Sequence, residues 1–126
     1  LHVDVGSRFP ALISATGRLV AAFTDVPAKD LERRFKALRW EQPPDLEAWR
    51  ADVQAVRRKG YSIDRGNYIS GIAVIAVPVF DTQNRMTHSL VVAGVADQLN
   101  SARSAALAKD LQAEAKALSE MLAVRG

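Results

Sequence analysis

Nine consecutive residues, Ile72 to Phe80, read Ile-Ala-Val-Ile-Ala-Val-Pro-Val-Phe, and none carries a charged or polar side chain. Five are β-branched (Ile72, Val74, Ile75, Val77, Val79). An apolar run this short and this rich in branched residues predicts a strand buried on both faces. Asp81 and the polar segment Thr82-Gln83-Asn84-Arg85 end it and suit a hairpin loop. Ser89 to Val95 supplies a second apolar run, closed by Ala96-Asp97. Upstream, Tyr61-Ser62-Ile63-Asp64 alternates in the manner of a half-buried strand. The stretch Gly60–Asp97 therefore predicts a three-stranded antiparallel core, and function is expected on its face.

The flanks read as helices. Val3 to Val5 alternates like a short strand, and Gly6 to Pro10 breaks it. An irregular segment then leads into an apolar helix expected from Gly17 to Thr24. Ser14 or Thr16 suits the cap of that helix, and the free amides of a helix start also suit a carboxylate or phosphate. Pro27 opens a helix over Ala28–Leu38, with Leu31, Phe35 and Leu38 on one stripe. Trp40 to Pro44 is a loop. Asp45 caps a helix over Leu46–Arg58, with Leu46, Trp49, Val53 and Val56 facing inward, and Gly60 stops it. The last helix runs from about Gln98 to Val124, with Leu107, Leu111, Ala115, Leu118 and Leu122 on one side, extended by Leu99, Ala102 and Met121.

Strand, three helices, three strands and a helix make an α+β class. The 126 residues suit one domain, 48% hydrophobic and 25% charged. A sheet of at most four strands, with a central strand apolar on both sides, wants further strands or a partner subunit. The chain starts at Leu1 in mid-pattern and reads as a piece of something longer. No apolar run reaches the length of a membrane helix, so no membrane partner is expected.

Little catalytic chemistry is legible. There are no cysteines, and two histidines, His2 and His88, neither at metal-ligand spacing to a carboxylate. No phosphate-binding glycine loop, zinc-protease motif or serine elbow occurs. Ser89, His88 and Asp64 make a triad only on paper. No catalytic residue, metal or cofactor is expected. The net charge of +3 is spread over helix surfaces, including Arg33-Arg34, Lys36 and Arg57-Arg58-Lys59, and does not make a nucleic-acid face. Asp64 is different. It shares a strand face with Ser62 beside strongly apolar residues, where a carboxylate needs a partner or water. The turn-rich Asp64-Arg65-Gly66-Asn67 also suits a plain turn role. Val74 and Ala76 share one face of their strand, and Val91 and Ala93 one face of theirs.

Three blocks in series resemble the effector-binding domain of IclR-type bacterial transcriptional regulators: Val5-Gly-Ser-Arg-Phe-Pro10 with Ser14-Ala-Thr-Gly-Arg18; Val56-Arg-Arg-Lys-Gly-Tyr-Ser-Ile-Asp64; and Gly71 to Asp81 through Leu90-Val-Val-Ala-Gly94. The resemblance implies a GAF-like (profilin-like) antiparallel sheet flanked by helices, a small-molecule pocket, and a homodimer or homotetramer in the cytoplasm. It implies an effector held against the sheet, with its polar atoms met by the loop Ser14, Ala15, Thr16 and Gly17. Asp64 matches the family's aspartate after Gly-Tyr, and Val74, Val91 and Ala93 match its effector-facing strand positions. Some relatives that bind small keto acids place cysteine or serine at those three strand positions. Valine and alanine here imply an apolar floor and an aromatic or aliphatic carboxylic acid larger or less polar than glyoxylate or pyruvate. Arg65 stands where the family has acidic residues; it either supplies a cation or is solvated. The family's winged helix-turn-helix domain and first sheet strands are not among these residues, so DNA is expected to be met only through a separate domain. The other reading is a dimerisation module with a filled, vestigial pocket.

Overall fold

The central strand is sealed because it lies between two strands and two layers of helices. In the computed structural model, which describes residues 14–37 and 40–125, the elements are α1 (Ser14–Phe23), α2 (Ala28–Ala37), α3 (Leu46–Lys59), β1 (Ser62–Arg65), β2 (Ile72–Phe80), β3 (Met86–Val95), a short 3-10 turn (Ala96–Gln98) and α4 (Ser101–Arg125). The sheet is antiparallel in the order β1-β2-β3. Ala73 to Val79 of β2 are all buried, as a run apolar on both faces requires. The expected strand at Val3–Val5 lies outside the described residues.

The two faces bury different partners. Val74 and Ala76 pack with Ala15 and Leu19 of α1 and Val56 of α3. Ala73 and Ile75 pack with Leu99 and Ala108, and Val77 and Val79 with Ala115, Leu111, Leu118 and Leu122. The leucine stripe of α4 thus covers one face and α1 with α3 the other, the layered solution for an α+β domain. Ala102 and Met121 do not extend the stripe: both are exposed, Met121 to 63%. Leu99 is buried, but it precedes the helix. A second cluster, Phe35, Trp49, Val53 and Ala21, joins α2 to α3 and α1.

Local chemistry sets the ends of α3. The Asp45 carboxylate accepts the Ala48 N–H at 3.4 Å, and Gly60 (φ +79°) donates its N–H to Val56 O at 2.8 Å, which closes the helix. A Cβ on Gly60 would sit in the left-handed region and 3.1 Å from Gln112 Nε2. Gly60→Ala is expected to lower unfolding free energy by about 1–2 kcal/mol in a denaturant titration.

The hairpin loop is built on Asp81. Its Oδ1 accepts the N–H groups of Gln83 and Arg85, both at 2.9 Å, and Arg85 Nε lies 3.3 Å from Oδ2. The Arg85 N–H, then that of Gln83 and the Arg85 charge, hold the carboxyl below its ordinary 3.8 despite some desolvation. A depressed folded value stabilises above the unfolded value and is lost as pH falls through the folded one. Asp81→Asn should therefore lower the melting temperature at neutral pH, with the difference closing well below pH 3.8 in acid thermal scans.

Three boundaries differ from expectation. α4 begins at Ser101 rather than about Gln98, after the separate 3-10 turn. β3 begins at Met86 rather than Ser89, with a register irregularity between Val79 and Phe80. Exposed Thr87 and His88 are tolerated there because, among the described residues, β3 is an edge strand facing water. α1 begins at Ser14, three residues before Gly17. Ala15 and Leu19, four apart, both reach zero exposure in the core, and that packing overrides the poor helix propensity of Gly17.

Candidate functional site

The sheet register sets which residues share the α1 face. Asp64, Val74 and Ala93 stand opposite one another across the three strands, and Ser62, Ala76 and Val91 form the next row. Ile72 with Val95, and Pro78 with Ser89, continue the same face. α1 lies over the β1 and β2 part of this face. Val91 and Val95 remain 48% and 50% exposed, and Ala93 is exposed too. A strip of apolar side chains is therefore uncovered on β3, beside α1.

The first turn of α1 borders that strip. Thr16 Oγ1 lies 3.3 Å from Ser89 Oγ, so Thr16 is inside the helix and meets β3, rather than standing as a cap. Ala15 and Gly17 are buried. Ser14, Ala15, Thr16 and Gly17 thus form the opening turn of a helix and not a loop before it. The first N–H groups of a helix have no intrahelical acceptor.

Arg18 follows, and it is the residue that sequence reasoning left out of the site. It is 1% exposed, as is Asp64. Arg18 Nη1 is 3.9 Å from Asp64 Oδ2, and Arg18 Nε is 3.5 Å from Asp52 Oδ2. Its Nη2 donates to Asn67 Oδ1 at 2.9 Å, and the guanidinium lies 5.9 Å from the Trp40 ring centroid. Asp64 also accepts the N–H groups of Asn67 at 2.8 Å and Tyr68 at 3.3 Å. Both its oxygens are engaged within the protein, so the turn reading and the buried-partner reading hold together. The signal for Arg18 was Asp64 itself: a carboxylate on an apolar face demands a cation or several donors.

Arg65 falls on the opposite face, as alternation along a strand dictates. It donates to Leu99 O at 2.7 Å and Ser104 Oγ at 3.2 Å. It is therefore neither a cation for the α1 face nor simply solvated; it ties the end of β1 to the start of α4. Neighbours in a strand, His88 and Ser89 point to opposite faces, and Asp64 stands in the Val74–Ala93 row. The three make no triad. Among the described residues no group of three or more metal-ligating side chains converges, and no helix is long and apolar enough to cross a membrane.

Against known proteins, the model of the bacterial transcriptional regulator IclR C-terminal domain matches residues 1–120. The chain belongs to the IclR family. It is 26% identical over 133 aligned residues to the HTH-type transcriptional regulator BhcR of Paracoccus denitrificans (strain Pd 1222), covering 98% of this chain and 48% of that protein. An IclR transcriptional regulator from Alicyclobacillus acidocaldarius superposes with a TM-score of 0.77 at 28% identity, over 95% of this chain and 49% of that one. The repressor BlcR of Agobacterium tumefaciens superposes with a TM-score of 0.81 at 24% identity, over 96% and 51%, a likeness that speaks for the fold. The chain spans about half the length of the curated relatives it matches. This IclR-family domain has the α+β fold of its relatives, and the curated relatives it matches are named as transcription regulators.

Proposed function

We propose that this IclR-family domain senses a small carboxylic acid with an apolar body. The observation that carries the reading is the uncovered strip of Val91, Ala93 and Val95, on the face shared with Asp64 and Val74. The opening turn of α1 runs beside it through the Thr16–Ser89 contact. Amides at a helix start favour an anion, and an aliphatic floor with few polar groups is typical of sites for small organic ligands. In this reading the amides of Ser14 to Gly17 meet the carboxylate, and Val91 and Ala93 meet the body, while Val74 supports the floor from beneath Ala15 and Leu19. Asp64 acts by fixing the end of β1 through Arg18. A ligand with different affinity for two conformations shifts their balance. DNA would be met by a separate winged helix-turn-helix domain, in a cytoplasmic homodimer or homotetramer.

One observation favours the second reading, a dimerisation module with a filled pocket. Ala15 and Leu19 already occupy the space over Val74 and Ala76. Calorimetric titration with benzoate, hexanoate, glyoxylate and benzamide separates the two. Sensing predicts that benzoate or hexanoate binds at least about tenfold more tightly than glyoxylate or neutral benzamide. Absence of binding by every acid, with a concentration-independent dimer in ultracentrifugation, establishes the dimerisation module instead.

A further inference from the structure

β1 is shorter than β2. Ser62 is its first residue and pairs with Ala76, so Val77 to Phe80 have no strand on that side among the described residues. A groove of about 420 Å³ opens there, between the end of α3, the end of β2 and the middle of α4. Its apolar wall includes Phe23 and Phe80, set edge to face with centroids 5.5 Å apart, together with Ala115. Its rim carries Arg58, Lys59 and Lys116, and no acidic side chain lines it.

Helix C-termini normally repel anions. Two reach this groove, and both are covered by donors. Arg57 donates to Ala22 O at 3.0 Å and Ala21 O at 3.3 Å, at the end of α1. Gln112 Nε2 donates to Gly60 O at 3.2 Å and Lys59 O at 3.4 Å, at the end of α3. The Ser119 hydroxyl covers the carbonyl of Phe80. Arg57 is thus occupied structurally. Arg58, Lys59 and Lys116 make no ion pair among the described residues, while the arginines and lysine of α2 and α3 at Arg33, Lys36 and Arg50 all do. A recess with an aromatic wall, covered carbonyls and three cations on its rim, of which Lys59 also lies 5.9 Å from the Tyr61 ring centroid, is complementary to a multiply charged anion with a ring.

We propose that this groove is a second ligand site, separate from the β3 strip, that takes an aromatic dianion such as an aryl phosphate or an aromatic dicarboxylate. The rings of Phe23 and Phe80 meet the apolar body; Arg58, Lys59 and Lys116 meet the charges. The size lies within the range usual for small-molecule sites.

Calorimetric titration of the chain with phenyl phosphate, phthalate, inorganic phosphate and benzyl alcohol tests it. Phenyl phosphate or phthalate should bind, and which is tighter tells a phosphate source from a carboxylate one. Inorganic phosphate and benzyl alcohol should each be at least about tenfold weaker, because each satisfies half of the site. The exposed pair Arg58→Gln with Lys116→Gln should weaken the tighter probe by about tenfold or more, and the charge-matched pair Arg33→Gln with Arg34→Gln should not. Both pairs are on the surface, and circular dichroism checks their folding. The site is overturned if neither dianion binds, if inorganic phosphate binds as well, or if the two variant pairs behave alike. The variant-pair result leaves the carboxylate reading of the β3 strip untouched, since neither pair touches it, and the benzoate and hexanoate titrations test that strip separately.

Discussion

Asp64→Ala is expected to lower the unfolding free energy by about 3–5 kcal/mol, since removing one partner of a buried ion pair is strongly destabilising, even with Asp52 and Asn67 still bound to Arg18. Arg18 and Asp64 are each 1% exposed, so water does not replace what is lost. The carboxylate also holds the N–H groups of Asn67 and Tyr68, and these lose their acceptor at the same time. Asp64→Asn separates the two contributions: it keeps an oxygen for the turn and discards the charge. Its cost should fall between that of alanine and zero. Arg18→Leu combined with Asp64→Leu should cost less than the sum of the single changes, because no unpaired charge remains. Urea unfolding of these three variants and of the single changes Arg18→Leu and Asp64→Leu measures this. A loss under about 1 kcal/mol for Asp64→Ala would mean that the remaining partners of Arg18, Asp52 and Asn67 among them, suffice.

That ion cluster marks the limit of what the sequence discloses. The core strand was legible because period and composition agree: β2 is apolar at every position and buried at seven consecutive ones. The caps of α3 were legible because Asp45 and Gly60 act through local chemistry that needs no tertiary partner. The shared face of Asp64, Val74, Val91 and Ala93 follows from period-two alternation once the strands pair. What alternation does not disclose is how a helix lies across the sheet. The start of α1 moved to Ser14 because Ala15 packs on β2, a long-range contact with no local signature. Arg18 was missed for the same reason: charged residues are rarely buried, and only its position opposite Asp64 explains the exception. The helical spacing of α4 gave its leucines correctly, but Met121 faces water, since one stripe of a helix cannot hold neighbours a full step around it.

The second large effect concerns ligand binding rather than folding. Val91→Glu should weaken binding of the preferred carboxylic acid by roughly 100-fold, since two like charges about 5 Å apart at an effective dielectric near 20 repel by ~3 kcal/mol. Val91 is 48% exposed, so the substitution should leave the melting temperature nearly unchanged, which isolates the electrostatic effect from any loss of fold. Val91→Thr keeps shape and adds a hydroxyl without charge. It should weaken hexanoate modestly and bring glyoxylate closer to it, because a polar group on the floor no longer rejects a polar ligand. High salt should narrow the gap between Val91→Glu and the parent only partly, since a ligand seated between helix and strand is shielded from ions less than a surface pair is. Calorimetry at two salt concentrations, on folded protein, decides it. If Val91→Glu binds hexanoate as tightly as the parent chain, the uncovered part of β3 is not where the acid lies, and the strip is left as an interface for another strand.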